Sequence, residues 1–139
     1  MDRDDVTTSI HATMPFTATL GIRGVRQEPG EIQLALDWAP SLCTAGGVLH
    51  GGVLMALADS AGAACALAKL PAGAAGTATI ESKSNFFAAV RGGTVTATAR
   101  PLHVGGSVIV VETEIRDDAG KLVAKTMQTQ AVLRARPIQ

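Results

Sequence analysis

Aromatic residues are scarce in this chain of 139 residues, which has three Phe, one Trp and no Tyr. Proteins that bind single-stranded nucleic acids stack bases on aromatic side chains, and nucleic-acid binders in general carry an excess of basic charge. This chain has twelve basic and twelve acidic residues and no net charge. The composition therefore argues against a nucleic-acid partner.

Cysteines are also few, and the chain starts without an apolar leader. Cys43 and Cys65 have neither the spacing of metal ligands nor that of a redox pair, so we interpret both as small apolar residues of a reducing compartment. The first five residues include three Asp and lack the apolar core of a secretory signal. The default expectation is a cytoplasmic location.

Several motifs of common enzyme classes are missing. The chain contains no G-x-S-x-G nucleophile motif, no P-loop and no cluster of residues with metal-ligand spacing. We therefore expect no metal and no cofactor, and any catalysis has to come from other side chains and from the backbone.

An apolar stretch at residues 46–65 is the most distinctive part of the sequence. A membrane span needs roughly 20 apolar residues, which makes that alternative worth testing. Asp59 at the middle, several glycines and alternating strand patterns on both sides argue against it. We expect no membrane association.

The same stretch predicts a helix from about residue 51 to residue 70. It contains no Pro and, after Val53, no β-branched residue, and it is rich in Ala, Leu and Met. The helix is apolar on every face, so we expect other elements or a second copy of the chain to enclose it. Asp59 then lies on a buried element, where a carboxylate is costly unless it is partnered or used in chemistry. A structural ion pair is the alternative interpretation of Asp59.

The remaining chain is predicted to consist mostly of strands. Residues 1–13 are expected to be a polar, frayed start, and residues 15–20 a short helix that ends at Gly21. Strands are predicted at residues 20–28, 31–38, 77–87, 94–104, 107–116 and 121–133. The last four are joined by short glycine-containing turns, which indicates an antiparallel meander. The order predicts one α+β domain over residues 1–139, with an antiparallel sheet curled around the central helix.

The start of the predicted helix has features of a site for acyl chemistry. A helix N-terminus offers free N–H groups, and Gly51 and Gly52 allow a carbonyl oxygen to approach them. A facing carboxylate could attack the polarised carbonyl or activate a water molecule. Asp59 is eight residues beyond Gly51, about 12 Å along a helix, which is too far for one reacting group. Two antiparallel helices related by a two-fold axis would bring the two elements together, so we expect a homodimer or a larger oligomer.

These residues carry a family resemblance. The turn LHGG at residues 49–52, followed by ALAD at residues 56–59, resembles the signature of hotdog-fold acyl-CoA thioesterases, in particular the PaaI-like branch of the phenylacetate pathway. The similarity continues at residues 15–22, 79–81 and 85–86 and covers nearly the whole chain. It implies a six-stranded hotdog fold, a homodimer formed by continuing the sheet, often paired into a homotetramer, and a small-molecule acyl-CoA substrate.

The resemblance also implies a role for individual residues. Asp59 is expected to be the nucleophile or general base, and the N–H of Gly51 from the other subunit to hold the thioester oxygen. His50 is expected to orient the turn, and Thr44, where some relatives have Asn, to position water or the thioester. Further substrate contacts are expected at Gly52, Phe87, Ala88, Val104, Gly105 and Gly106.

Two departures from the family pattern concern the nucleotide end of coenzyme A. Residues 88–89 are Ala-Ala where many relatives have Arg-Pro, and residues 103–107 lack the basic residues that often follow the His. Lys83, Arg91 and Arg100 could substitute for them, or could be ordinary solvated strand residues. The backbone of residues 105–106 could supply donors instead.

The sequence thus predicts hydrolysis of an acyl-CoA thioester and leaves two alternatives. One is a thioesterase of the same fold that acts on acyl groups attached to acyl carrier protein. The other is a non-catalytic acyl-binding module. The acyl group itself is left open, because the residues that line its pocket come from strands and loops of unassigned register.

Overall fold

The protein is built from one antiparallel sheet and one long helix, and the computed structural model describes residues 2–136. The helices are α1 (Arg3–Thr13), α2 (Pro15–Leu20) and α3 (Gly51–Leu67), and the strands are β1 (Arg23–Glu28), β2 (Glu31–Asp37), β3 (Ala74–Phe86), β4 (Thr94–Val104), β5 (Val108–Arg116) and β6 (Leu122–Arg134). The strand order is β1-β2-β4-β5-β6-β3, and all neighbours are antiparallel. The α+β class and the hotdog architecture expected from the sequence are confirmed.

Helix α3 packs against one face of the sheet and forms the core with it. Its buried side consists of Leu54, Leu57, Ala58, Ser60, Ala61, Gly62, Cys65 and Ala66. Fully buried aliphatic residues of the strands face it, among them Leu34 on β2, Val95 on β4 and Val111 on β5. Each buried side chain of this kind stabilises the fold by about 1.5–3 kcal/mol. None of the helices in residues 2–136 is long and apolar enough to cross a membrane.

One stripe of α3 stays uncovered in the single chain, so the expected enclosure of the helix is only partial. Gly52, Met55 and Asp59 are exposed, and their spacing of three and four residues places them on one side of the helix. Asp59 is therefore at the open edge of a buried element rather than within the core. A single sheet covers only one side of a helix, which is why this stripe is left open.

The expectation of a frayed start at residues 1–13 is wrong, because most of this segment forms α1. The Asp2 carboxylate accepts a hydrogen bond from the Asp5 N–H at 3.0 Å and caps the helix. Val6 and Ile10, one turn apart, are buried against β1. At Gly24 an added Cβ would lie 2.5 Å from the Val6 Cβ, so glycine lets helix and strand approach closely. The helix is stabilised by this packing, and its local sequence gave only a weak signal.

We expect Ile10→Ala to lower the free energy of unfolding by about 2–5 kcal/mol, because it removes a side chain that is 3% exposed from the core. Ser9→Ala, at the exposed neighbouring position, is the matched control and is expected to unfold as wild type does. Chemical denaturation of both variants measures the difference. A frayed segment would give wild-type stability in both.

The predicted meander is wrong for its first strand. Strands β4, β5 and β6 do follow one another, but β3 pairs with β6 at the far edge of the sheet instead of with β4. The segment between β3 and β4 therefore crosses the end of the sheet and does not form a hairpin turn. As a result β3 is an edge strand of thirteen residues, with Ile80 and Phe86 exposed along it. A long exposed edge is a site at which another strand can pair.

Candidate active site

The chain reaches α3 through a compact loop that holds Thr44. Two 3₁₀ turns, Pro40–Leu42 and Ala45–Gly47, form this loop, and Gly46 and Gly47 adopt positive φ angles of 79° and 72°. Residues with a side chain rarely adopt such angles, which accounts for the two glycines. The Thr44 N–H donates to the Val48 carbonyl oxygen at 2.8 Å, and the Thr44 side chain is exposed. Thr44 thus lies beside the entry to the helix.

His50 is the N-cap of α3. Its Nδ1 accepts a hydrogen bond from the Gly52 N–H at 2.8 Å, and its own N–H donates to the Leu42 carbonyl oxygen at 2.9 Å. A ring nitrogen that accepts carries no proton, so this contact requires the neutral imidazole with its proton on Nε2. The hydrogen bonds of the histidine therefore connect the loop to the first turn of the helix, which is a structural role at the helix N-terminus.

The N–H of Gly51 is the free donor of this turn. The N–H groups of Val53 and Leu54 bond to the His50 carbonyl oxygen, and that of Gly52 bonds to the His50 ring. In residues 2–136 the N–H of Gly51 has no such partner. It lies at the positive end of the helix dipole, where a carbonyl oxygen or an anion is stabilised.

The ring of Phe86, at the end of β3, packs over Gly51. Its Cζ lies 3.4 Å from the position that a Cβ of residue 51 would occupy, and the side chain is half exposed. Phe87 and Ala88 follow directly, and their N–H groups donate to the carbonyl oxygen of Val123. The predicted contacts Phe87 and Ala88 are therefore beside the helix start. Phe86 was not predicted, although it belongs to the same short sequence motif.

Asp59 lies two turns further along α3. One side of the residue is open to solvent, and its Oδ1 accepts a hydrogen bond of 2.5 Å from the Nε2 of Gln128. Partial burial of the carboxylate raises the pKa of Asp59, and the Gln128 hydrogen bond lowers it. No ion pair within residues 2–136 involves Asp59, so the alternative of a structural ion pair has no cation there.

Gln128 belongs to a row of polar side chains on the inner face of β6. Thr126, Gln128 and Gln130 are each 1% exposed. The hydroxyl of Thr126 bonds to that of Ser84, and the Gln130 amide donates to the Thr79 hydroxyl at 2.8 Å. Sequence reasoning missed this row, since polar residues at alternate positions of a strand normally indicate the solvent face. Their spacing of two was the only available signal.

A single chain does not bring all the predicted residues together. Val104, Gly105 and Gly106 lie at the turn that begins β5, whereas Phe86 and the start of α3 lie at the end of the sheet where β5 finishes. Eight residues of strand separate the two ends, which is roughly 26 Å. Gly51 and Asp59 are also separated, by about 12 Å of the same helix.

The cationic candidates for coenzyme A binding are mostly engaged elsewhere. Arg100 forms an ion pair with Glu31 at 2.7 Å, and Arg91 donates to the Gly46 carbonyl oxygen at 3.0 Å. These contacts favour ordinary structural roles for both residues. In the described residues 2–136, no group of three or more His, Cys, Asp or Glu is arranged to hold a metal ion.

A cavity of about 250 Å³ lies away from these residues, between α1, the β1–β2 hairpin and the last turns of α3. Its lining includes Val6, Ile10, Met14, Ala64 and Leu67. None of the candidate residues lines it. The helix start and Asp59 instead lie along the open stripe of α3.

Comparisons with known proteins agree on one family. The family model of the thioesterase superfamily matches residues 46–124. A protein of Mycobacterium tuberculosis, whose name provisionally designates an esterase, is 32% identical over 130 residues, covering 92% of this chain and 93% of its own. A 1,4-dihydroxy-2-naphthoyl-CoA hydrolase of Listeria monocytogenes is 34% identical over 88% of this chain and 99% of its own. The solved structure of a thioesterase from Haemophilus influenzae has a TM-score of 0.81 and 28% identity, over 86% of this chain and 82% of that one.

Proposed function

The chain belongs to the thioesterase superfamily and is a hydrolase of hotdog fold, and we propose that it hydrolyses an acyl-CoA thioester to a free acid and coenzyme A. The name of the Listeria relative, which designates an acyl-CoA hydrolase, supports coenzyme A as the carrier. The observation that carries the proposal is the Gly51 N–H, a donor without a partner in residues 2–136 at the positive end of α3. It suits the oxygen of a thioester carbonyl, on which negative charge develops during attack.

In this proposal the thioester oxygen accepts the Gly51 hydrogen bond, and Asp59 of the partner subunit faces the carbonyl carbon. The carboxylate takes a proton from a water molecule, whose oxygen forms the new bond to carbon. The tetrahedral intermediate then collapses, the C–S bond breaks, and the thiolate leaves and takes up the proton. Direct attack by Asp59, followed by hydrolysis of the resulting anhydride, remains the second route. Both routes need Asp59 in its ionised form.

The other predicted residues have supporting places in the proposal. His50 fixes the first turn, and Thr44 in the entry loop positions the water or the thioester. Gly52 provides room for the substrate and not a donor, because its N–H is already bonded to His50. Phe87 and Ala88 border the substrate near the helix start. The turn formed by Val104, Gly105 and Gly106 contributes to the nucleotide end from the other subunit.

A two-fold homodimer would complete this site. The β3 edge is thirteen residues long, and Ile80 on it is 64% exposed, which supports pairing of β3 with its own copy. Antiparallel pairing places the opposite ends of the two sheets side by side, so the helix start of one protomer would lie near the residue 104–106 turn of the other. It would also cover the open stripe of α3. A homotetramer formed from two such dimers is part of the proposal.

Release of free thiol from a panel of substrates tests this function. The panel contains straight-chain acyl-CoAs of increasing length and an aromatic acyl-CoA, and the same acyl groups on acyl carrier protein are assayed in parallel. Thiol release from one or more acyl-CoAs is the expected result. Release that requires the carrier protein would assign the alternative substrate, and binding of acyl-CoA without release would contradict hydrolysis and favour an acyl-binding module.

A further inference from the structure

Gln128 and Gly62 contact each other beside Asp59. A Cβ added to Gly62 would lie 1.9 Å from the Oε1 of Gln128, closer than any real contact. The Gln128 amide can therefore occupy its place only because residue 62 is glycine. Glycine is less favourable than alanine inside a helix, so α3 contains a costly residue at the point where alanine would displace the amide.

The position of the Gln128 amide has a second energetic cost, a buried oxygen without a hydrogen-bond partner in the described part of the chain. Its Oε1 is buried and has no hydrogen-bond partner within residues 2–136, whereas its Nε2 donates to Asp59 at 2.5 Å. An unsatisfied buried carbonyl oxygen opposes folding. Gly62 is unfavourable in a helix and the Gln128 Oε1 is unsatisfied, but both allow the Gln128 Nε2 to donate to Asp59. Local costs of this kind are typical of a functional site.

No charged group competes with Gln128 for Asp59 in the described part of the chain. Gln128 is directly opposite Ser82 on β3, so both lie on the inner face. The charged residues Glu81, Lys83 and Lys125 occupy the intervening positions of β3 and β6 and therefore lie on the outer face.

The other strands that pack against α3 present no charge to it either. The buried inner faces of β2, β4 and β5 are apolar apart from Thr113. His50, the N-cap of α3, is nine residues before Asp59 and is hydrogen-bonded to Gly52 at the helix start. Gln128 is thus the polar side chain that sets the orientation of the Asp59 carboxylate.

We propose that Gln128 is a positioning residue, which holds the Asp59 carboxylate in the orientation and the ionised state that attack on the thioester requires, and that Gly62 makes room for it. This inference rests on the proposed function. The donated hydrogen bond stabilises the ionised carboxylate against burial, which acts in the opposite direction on its pKa.

Gln128→Met and Gln130→Met form a matched pair for the test. Methionine has a similar length but no N–H donor, and the two glutamines lie on the same face of β6 and are equally buried. Gln130, however, donates to Thr79 and not to Asp59. We expect Gln128→Met to lower kcat on the order of 10- to 100-fold with a smaller change in KM. The acid limb of its pH profile should move to higher pH, because Asp59 loses the donor that favours ionisation.

Gln130→Met removes the hydrogen bond to Thr79 and not the one to Asp59, so the acid limb of its pH profile should stay at the wild-type position. Gly62→Ala provides a second test that removes no functional group. We expect it to lower kcat in the wild-type background, because the new Cβ displaces the amide, and to have no further effect in a Gln128→Ala background. The comparison of Gly62→Ala in the two backgrounds tests the inference even if Gln128→Met does not fold.

Titration of the Asp59 carboxyl carbon by NMR gives a readout that does not depend on turnover. Movement of this titration to higher pH in Gln128→Met, and not in Gln130→Met, supports the inference. An unchanged titration and an unmoved acid limb in Gln128→Met overturn it, even if the wild type hydrolyses thioesters. A wild type that hydrolyses none of them, while Gln128→Met still moves the titration, refutes the proposed function and leaves the positioning contact standing.

Discussion

Asp59→Asn is expected to lower kcat for thioester hydrolysis by about 10²- to 10⁴-fold and to leave the fold intact. The amide has nearly the same shape as the carboxylate but can neither attack a carbonyl nor take a proton from water. Its Oδ1 can still accept the hydrogen bond that Gln128 donates in the wild type. Turnover and melting temperature, measured together on this variant, separate a loss of chemistry from a loss of structure.

The difference in stability between Asp59→Asn and the wild type should depend on pH in a defined direction. Burial raises the pKa of Asp59 in the fold, so between the ordinary pKa of an aspartate and this raised value the folded state binds more protons than the unfolded state. The free energy of unfolding of the wild type therefore falls as the pH rises through that window. Asparagine does not ionise, and we expect Asp59→Asn to melt at or above the wild-type temperature at neutral pH.

Asp37→Asn is the matched control for this substitution. Asp37 is an exposed carboxylate that pairs with Arg23 at 3.0 Å on the outer side of the sheet, where such pairs contribute little. We expect wild-type turnover from it. An Asp59→Asn protein that is destabilised but turns over at the wild-type rate per folded molecule would contradict the catalytic assignment.

Gly51→Pro is expected to lower kcat by about 10²- to 10³-fold, because it removes the N–H proposed to hold the thioester oxygen. Proline is favoured at the first position of a helix, and the preceding residue, His50, has the extended conformation that proline requires, with φ −61° and ψ 133°. The helix should therefore form normally. Steady-state kinetics and circular dichroism on the same preparation measure both effects.

Gly51→Ala is the control for the added side chain. Its Cβ would meet the Phe86 ring at 3.4 Å, as an atom of the proline ring would, but the N–H remains. We expect activity close to wild type from the alanine variant. Equal losses in the two variants would mean that crowding against Phe86 matters and that the N–H donor does not.

Helix α3, its start at His50 and the carboxylate Asp59 could be predicted because their sequence signals are local. The absence of Pro and of late β-branched residues predicts α3, and the structure differs only in ending it at Leu67. His50 before two glycines indicates a helix start, and the structure places it as the N-cap. Asp59 is conspicuous as the one charge in an apolar segment. Each of these inferences rests on residues that are close together in the chain.

The features that the sequence did not reveal depend on contacts between distant segments. Helix α1 contains only two buried apolar residues, Val6 and Ile10, and it is stabilised by packing on β1. The place of β3 beside β6 is set by pairing between residues more than forty positions apart, such as Ser84 and Thr126. Local turn signals carry no information about such pairing.

Gln128 was missed for a related reason. The alternation in β6 suggests that Met127 faces the core and that Gln128 faces solvent, whereas the structure has Met127 exposed and Gln128 buried. Its partner Asp59 is 69 residues away in the chain. Gln128 can lie on the inner face because Asp59 accepts its hydrogen bond there. The residue pattern within β6 alone contains no information about this contact.

In the proposed dimer, Gly51 of one protomer and Asp59 of the other form a shared site. Its most direct test is to co-refold Asp59→Asn with Gly51→Pro in equal amounts and to measure thioesterase activity. Each mixed dimer then contains one site with both an intact Gly51 and an intact Asp59, so statistical assembly predicts recovery of about a quarter of the wild-type activity from two nearly inactive proteins. A site contained within one chain predicts no recovery, and a mixture as inactive as its components would contradict the shared site.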